Sequence, residues 1–165
     1  MPVARLSSRA LIAVTGADAR PFLHNLLTQD VEGLAPGDLR FGALLSPPGR
    51  LLFDLFVLGQ EDGVLLDVAA DRRDALLQRL SMYKLRASVE IAADDRPVFA
   101  AWRDTPDGFL PDPRTPLLGG RRYGETTADA TEADYDAHRL AVGVPDPTND
   151  ALSDKTYPID RKSVV

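Results

Sequence analysis

A single carboxylate, Asp54, stands in the apolar run Leu51-Leu52-Phe53-Asp54-Leu55-Phe56-Val57-Leu58. Side chains alternate along a strand. Leu51, Phe53, Leu55 and Val57 therefore share a wholly apolar core face, while Arg50, Leu52, Asp54, Phe56 and Leu58 share the other. This second face is too apolar for plain solvent surface, yet it carries a carboxylate and a guanidinium. An unpaired charge is costly to bury. Such a face lines a partly enclosed, ligand-sized cavity, or it is an outer face shielded by a helix with Asp54 satisfied by a neighbouring strand. We expect Asp54 to point into a central cavity, and Asp67 to lie on the opposite strand parity. A second group is Tyr83-Lys84-Leu85-Arg86, at the end of a predicted helix. Cations there complement the negative end of the helix dipole. A tyrosine with a guanidinium can also hold a planar anionic ligand by stacking and bidentate pairing. The wider cluster of Arg72, Arg73, Arg79, Lys84 and Arg86 reads either as a solvated helix face or as a binding patch.

Other chemistries lack their residues. His24 and His138 are the two histidines, far apart in the chain, and neither makes a nucleophile–base arrangement. Gly119-Gly120 is not a phosphate-cradling fingerprint, and neither a Walker motif nor calcium-loop spacing occurs. Without cysteine there is no disulfide, thiolate nucleophile or cysteine-ligated metal or cluster. The net charge of −6 argues against a general nucleic-acid binder. No apolar run approaches the roughly 20 residues that span a bilayer, and the start lacks an apolar signal core. These features predict a protein without membrane or direct nucleic-acid contacts, without catalysis of its own, and cytoplasmic.

The elements that must position these residues follow from pattern. The 165 residues suit one globular domain, or one and a fraction. Val3–Leu6 and Ala10–Thr15 read as strands. Asp18 caps a helix with Pro21 in its first turn and a stripe of Phe22, Leu23, Leu26 and Leu27. Phe41–Leu45 and Arg50–Leu58 form a hairpin, with Pro48-Gly49 at the second and third positions of a type II turn. Val64–Ala69 is a strand. Asp71 caps a second helix with a stripe of Leu76, Leu80 and Tyr83. Ala87–Ala92, Val98–Trp102 and Leu117–Tyr123 are strands, the last two separated by a proline-rich loop, Thr105–Pro116. Thr131 with Asp134 opens a third helix ending near Gly143. The order suggests a duplicated strand–helix unit whose second copy is incomplete: residues 1–95, then 96–144, then a tail at 145–165.

Several segments in register resemble the YgfZ family of folate-binding proteins, relatives of the glycine-cleavage T-protein. They are Gly16-Ala17-Asp18-Ala19 through Phe22-Leu23 to Leu27-Thr28-Gln29-Asp30-Val31, Leu45-Ser46-Pro47-Pro48-Gly49-Arg50 with Asp54, Met82-Tyr83-Lys84-Leu85-Arg86-Ala87, and His138-Arg139-Leu140-Ala141-Val142-Gly143-Val144-Pro145. The resemblance implies an α+β folate-binding pseudobarrel and tetrahydrofolate as cofactor. It also implies a role in assembling or repairing iron–sulfur clusters in client proteins, with an indirect effect on tRNA modification. By position, Asp54 resembles the acid that faces the folate pterin, and Arg50, Tyr83 and Arg86 fall in segments lining the same cavity.

One departure qualifies the resemblance. The family's Lys-Gly-Cys-Tyr-x-Gly-Gln motif and C-terminal barrel should follow Tyr157-Pro158, and Ile159 to Val165 resembles neither. A truncated chain is the simplest reading, and it predicts weak folate binding and no cluster ligation by this chain. Two alternatives stay open. One is a T-protein-like aminomethyltransferase, disfavoured by Phe53 and Arg50 where that enzyme has a second acid and a turn glycine. The other is a remnant that binds no folate and offers only an interaction surface. An incomplete second half also predicts an unpaired sheet edge, with apolar surface open around Val98, Phe99 and Trp102 and self-association through it.

Overall fold

The computed structural model describes residues 2–46 and 48–144; the expected tail at 145–165 lies outside them. In chain order the strands and helices are β1 (Val3–Arg5), β2 (Arg9–Thr15), α1 (Ala19–His24), β3 (Leu39–Leu45), β4 (Leu51–Gln60), β5 (Gly63–Ala69), α2 (Arg73–Lys84), β6 (Glu90–Asp94), β7 (Val98–Ala101), β8 (Leu110–Pro111), β9 (Gly120–Tyr123) and α3 (Glu132–Ala141). They make a five-stranded sheet, β3-β4-β5-β2-β6, and a four-stranded sheet, β1-β7-β9-β8. All the strand pairs within both sheets are antiparallel.

The alternation in β4 sets the layers. Phe53, Leu55 and Val57 join Ile12, Val14, Leu66 and Val68 in a core covered by Leu23 of α1 and by Leu76 and Leu80 of α2. The opposite face of the same sheet sends Leu11, Leu58 and Leu65 against Ala4, Leu6, Val98, Ala100 and Trp102. The five-stranded sheet is thus buried on both faces, by helices on one and by the four-stranded sheet on the other. This explains why β5 is buried along its whole length. Leu52, expected on the Asp54 face, packs instead against the helix-side core. The pairing of β3 with β4 shifts between Leu44 and Leu45, and such an irregularity re-aims the start of a strand.

The hairpin turn sits one residue from its expected frame. The Gly49 amide donates to Ser46 O at 2.9 Å, so Gly49 closes the turn as its fourth residue rather than its third. It still takes a positive φ, +89°. Asp71 lies inside a short 3-10 turn, Ala70–Arg72, and does not cap α2, whose N-cap is Arg72 without a side-chain bond. The final predicted strand divides into a 3-10 turn, Pro116–Leu118, and β9. The proline-rich loop contributes β8.

The expected open surface is closed. Val98, Phe99 and Trp102 are all buried. β7 is an inner strand, with β1 on one side and β9 on the other. Trp102 meets Tyr135 of α3 edge to face at 5.6 Å. The outer side of β1 is taken by the chain before α3, where the Asp129 and Ala130 amides both donate to Val3 O. On the other sheet, Thr28 donates its amide to Ala43 O and Gln29 its side-chain amide to Phe41 O, which covers β3. Among the described residues, no helix is long and apolar enough to cross a membrane.

The expected cap of α3 is present in both directions. The Thr131 hydroxyl accepts the Asp134 amide at 3.1 Å, and the Asp134 carboxylate accepts the Thr131 amide at 3.0 Å. The backbone amide of Thr131 holds the Asp134 carboxyl below its ordinary pKa. Thr131→Ala is expected to lower stability by about 1 kcal/mol in urea unfolding, and Thr131→Ser to stay near the parent. Equal midpoints for parent and alanine variant would show that α3 is held by packing alone.

Candidate functional site

The two sheets meet through a buried ionic knot. The β4–β5 register sets Asp67 directly opposite Phe56, so Asp67 shares the face of Phe56 and, two residues along, of Asp54. The expectation of opposite parity is therefore corrected. Asp67 Oδ1 accepts Arg9 Nε at 2.8 Å, and Oδ2 accepts Arg121 Nη2 at 2.7 Å, Arg121 Nε at 3.0 Å and the Tyr123 hydroxyl at 2.8 Å. Arg9 and Asp67 come from the five-stranded sheet, Arg121 and Tyr123 from the four-stranded one.

Phe56 lies at the centre of the knot. The Arg121 guanidinium stands 4.1 Å from its ring centroid, Arg114 at 4.7 Å and Arg9 at 5.7 Å. Arg114 is held by Asp112 through bonds of 3.1 and 2.8 Å, and donates to the Tyr135 hydroxyl at 2.9 Å. Its loop, read from sequence only as proline-rich, thereby delivers a cation onto an aromatic face, where a desolvated guanidinium is attracted by the ring quadrupole.

The protonation states are fixed by these partners. Burial alone would raise the Asp67 pKa, but the charges of Arg121 and Arg9 outweigh it and hold the carboxyl below its ordinary value. Burial likewise opposes the charge on Arg121, yet Asp67 keeps its pKa well above the usual one. Burial and the neighbouring Asp67 charge push the Tyr123 phenol well up. A general acid or base works best with a pKa near the working pH. These groups are driven the other way, so the knot is suited to joining sheets rather than to moving protons.

The expected site residues fall in two places. Asp54 is 7% exposed on β4, on the face that carries Phe56. Arg50 is exposed immediately before β4, and its amide donates to Ser46 Oγ at 3.3 Å. Tyr83 and Arg86 lie on the helix side, at and just beyond the end of α2, with the five-stranded sheet between them and the Asp54 face. They do not gather around Asp54. Tyr83 instead lines an open depression of about 350 Å³ with Asp18, Pro21, Phe22, Asn25, Leu26 and Ala87. Among the described residues, no group of three or more His, Cys, Asp or Glu could hold a metal ion.

Sequence reasoning missed Asp67, Arg9, Arg121, Arg114 and Tyr123. One signal was available. Asp67 interrupts Val64-Leu65-Leu66-Asp67-Val68-Ala69 as Asp54 interrupts β4, and the same argument applies to both carboxylates.

No protein-family model matches the chain. Curated relatives do. The chain is 24% identical to the mitochondrial iron–sulfur cluster assembly factor IBA57 homolog of Neurospora crassa, over 94% of this chain and 44% of that protein. It is 27% identical to the human mitochondrial factor IBA57, over 94% and 54%, and 30% identical to the homolog of Phaeosphaeria nodorum, over 96% and 45%. The chain spans about half the length of these relatives. Among solved structures, the glycine cleavage system aminomethyltransferase T of Bartonella henselae aligns with a TM-score of 0.56 at 21% identity, over 87% of this chain and 32% of that one. The fold is thus a mixed one of the aminomethyltransferase T kind, with two antiparallel sheets. The expected cytoplasmic location is overturned by these relatives, each of which is named as mitochondrial.

Proposed function

We propose that this chain is the folded core of an iron–sulfur cluster assembly factor, working with the assembly machinery and its client proteins. Relatives of that name match nearly the whole chain, and this observation carries the reading. An effect on tRNA modification would then be indirect, through a client enzyme that needs a cluster. The test is complementation. In cells depleted of a relative, the chain should restore the cluster content of iron–sulfur enzymes, and a chain that accumulates without restoring it would sink the proposal.

We further propose that tetrahydrofolate binds beside Asp54. The support is a carboxylate only 7% exposed on the strand face it shares with Phe56 and Leu58, within a T-protein-like fold. A buried carboxylate suits the N–H donors of a pterin edge, and Arg50 at the start of the strand suits an anionic tail. The fit is confined to that end of the sheet. Arg9, Arg114 and Arg121 fill the space over Phe56 and already hold Asp67 and Asp112. Binding should accordingly be weak. Isothermal titration with tetrahydrofolate should give a micromolar constant, and Asp54→Ala should weaken it about tenfold or more, the loss of a charge-assisted hydrogen bond. The exposed Asp71→Ala serves as control. Equal binding by parent and Asp54→Ala, with both folded by circular dichroism, would remove the folate from this face.

A further inference from the structure

We propose that the depression between α1 and the end of α2 docks an acidic segment of a partner protein carrying apolar side chains. Pro21, Phe22, Leu26 and Ala87 give it an apolar lining, and Tyr83 adds an aromatic wall with a polar edge. Its volume of about 350 Å³ lies at the lower end of ligand-sized pockets, enough for the tips of one or two large side chains. Next to the lining residues Tyr83 and Ala87 in the chain, two further apolar side chains are strongly exposed, Met82 at 68% and Leu85 at 88%.

Leu85 is the unusual member. It caps α2 with φ +44° and ψ −109°, a backbone state rarely adopted by a bulky residue. The turn is closed by the Ala87 amide on Lys84 O at 2.8 Å. The turn therefore presents a leucine to solvent in a conformation that glycine would adopt with less strain. A surface turn needing only to end a helix has no use for that side chain.

Charge selects the partner. Lys84 and Arg86 flank Leu85, and neither forms an ion pair among the described residues; Arg79 donates to the Tyr83 hydroxyl at 3.4 Å. Against these stands Asp18, whose carboxylate accepts the Ser88 amide at 2.7 Å. Lys84 complements the C-terminus of α2, but Arg86 lies beyond the last turn where that effect fades. The chain as a whole carries −6. An acidic partner is repelled by most of this molecule and attracted here, which orients it on encounter. A flat anionic membrane would meet the net charge as well as the patch, and an acidic polypeptide with apolar anchors matches a small concave site better.

The probe is a synthetic amphipathic peptide of about 14 residues, glutamates on one face and leucines at i, i+3, i+4 and i+7, titrated into the full chain and followed by amide NMR. Saturable shifts are expected at Phe22, Leu26 and Tyr83 to Ala87. A peptide with lysine for glutamate, or serine for leucine, should bind at least tenfold more weakly. Paired Lys84→Glu and Arg86→Glu changes should weaken binding at least tenfold. Leu85→Gly, which relieves the backbone strain and keeps the fold, should weaken it about fivefold. Equal binding of the lysine peptide, or no saturable shift at these residues, would overturn the proposal. So would tighter capture by vesicles containing phosphatidylserine, or a concentration-dependent mass of the parent chain that Leu85→Gly abolishes, which would assign the surface to a membrane or to a second copy.

Discussion

Asp67→Ala is expected to lower the free energy of unfolding by about 3–5 kcal/mol, the usual result of removing one partner from a buried ion pair. Domains of this size hold about 5–15 kcal/mol in all, so the variant should be largely unfolded at moderate urea. The reason is not the lost bonds alone. Arg121 is 2% exposed, and the change strands its guanidinium and that of Arg9 between the sheets without a counter-charge. Asp67→Asn should do nearly as badly, since it keeps an acceptor oxygen but not the charge. Joint replacement by Asp67→Leu, Arg9→Met and Arg121→Met, which removes the carboxylate with both guanidinium partners, should recover at least half of the loss, because apolar residues of similar volume tolerate the interior. Urea titrations of the four proteins decide this, and an Asp67→Ala midpoint equal to that of the parent would show the knot to be water-screened. The same carboxylate sets an acid limit. Its folded pKa lies below the unfolded value, which is about 3.9. Its contribution is therefore fully present above the unfolded value and is lost as pH falls through the folded one.

Gly119→Ala is expected to cost about 3 kcal/mol. Gly119 has φ +74°, and an added Cβ would stand 2.1 Å from Ala101 O and 2.9 Å from the Trp102 Cα. Backbone cannot yield as a side-chain tip can. Gly119 also accepts the Asp112 amide at 2.9 Å and precedes β9, so any shift is passed to Arg121 and to the carboxylate holding Arg114. Gly37→Ala makes the comparison. Its φ is +90°, but nothing lies within 4 Å of the added carbon, and it should cost only about 1–2 kcal/mol. Similar midpoints for the two variants in thermal unfolding would mean that Gly119 is retained for φ alone.

Periodicity reveals what neighbours in sequence decide. The two faces of β4 were legible from alternation, because burial on both sides leaves a carboxylate conspicuous. Thr131 and Asp134 announced the α3 cap, since both partners lie within one turn. The turn at Gly49 was legible in kind and misplaced by one residue, because Pro47-Pro48-Gly49 accommodates two frames. The knot was hidden for a different reason. Asp67 meets Arg9, Arg121 and Tyr123 at sequence separations of 58, 54 and 56 residues. No local pattern links residues so far apart, and a charge that finds its partner only in three dimensions looks misplaced in one. The same holds for Arg114, which reads as loop polarity and serves as a lid on Phe56. The separation of Tyr83 from Asp54 is a matter of layer order. Nothing in either segment says which side of the sheet the helix covers.

The pairing of β1 with β7 bears on the order in which the molecule can be finished. Ala4 sits opposite Ala100, so about 95 residues are synthesised between the two partners. At about 5–20 residues per second this is roughly 5–20 s of translation. During that time the five-stranded sheet can close, since β2 to β6 take no ladder pairing from β1. The first strand of the chain cannot close with it. Its own ladder and the Asp129–Ala130 cover both come from residues made late. The N-terminal segment must therefore wait outside the growing fold, and the strand made first is among the last to be secured.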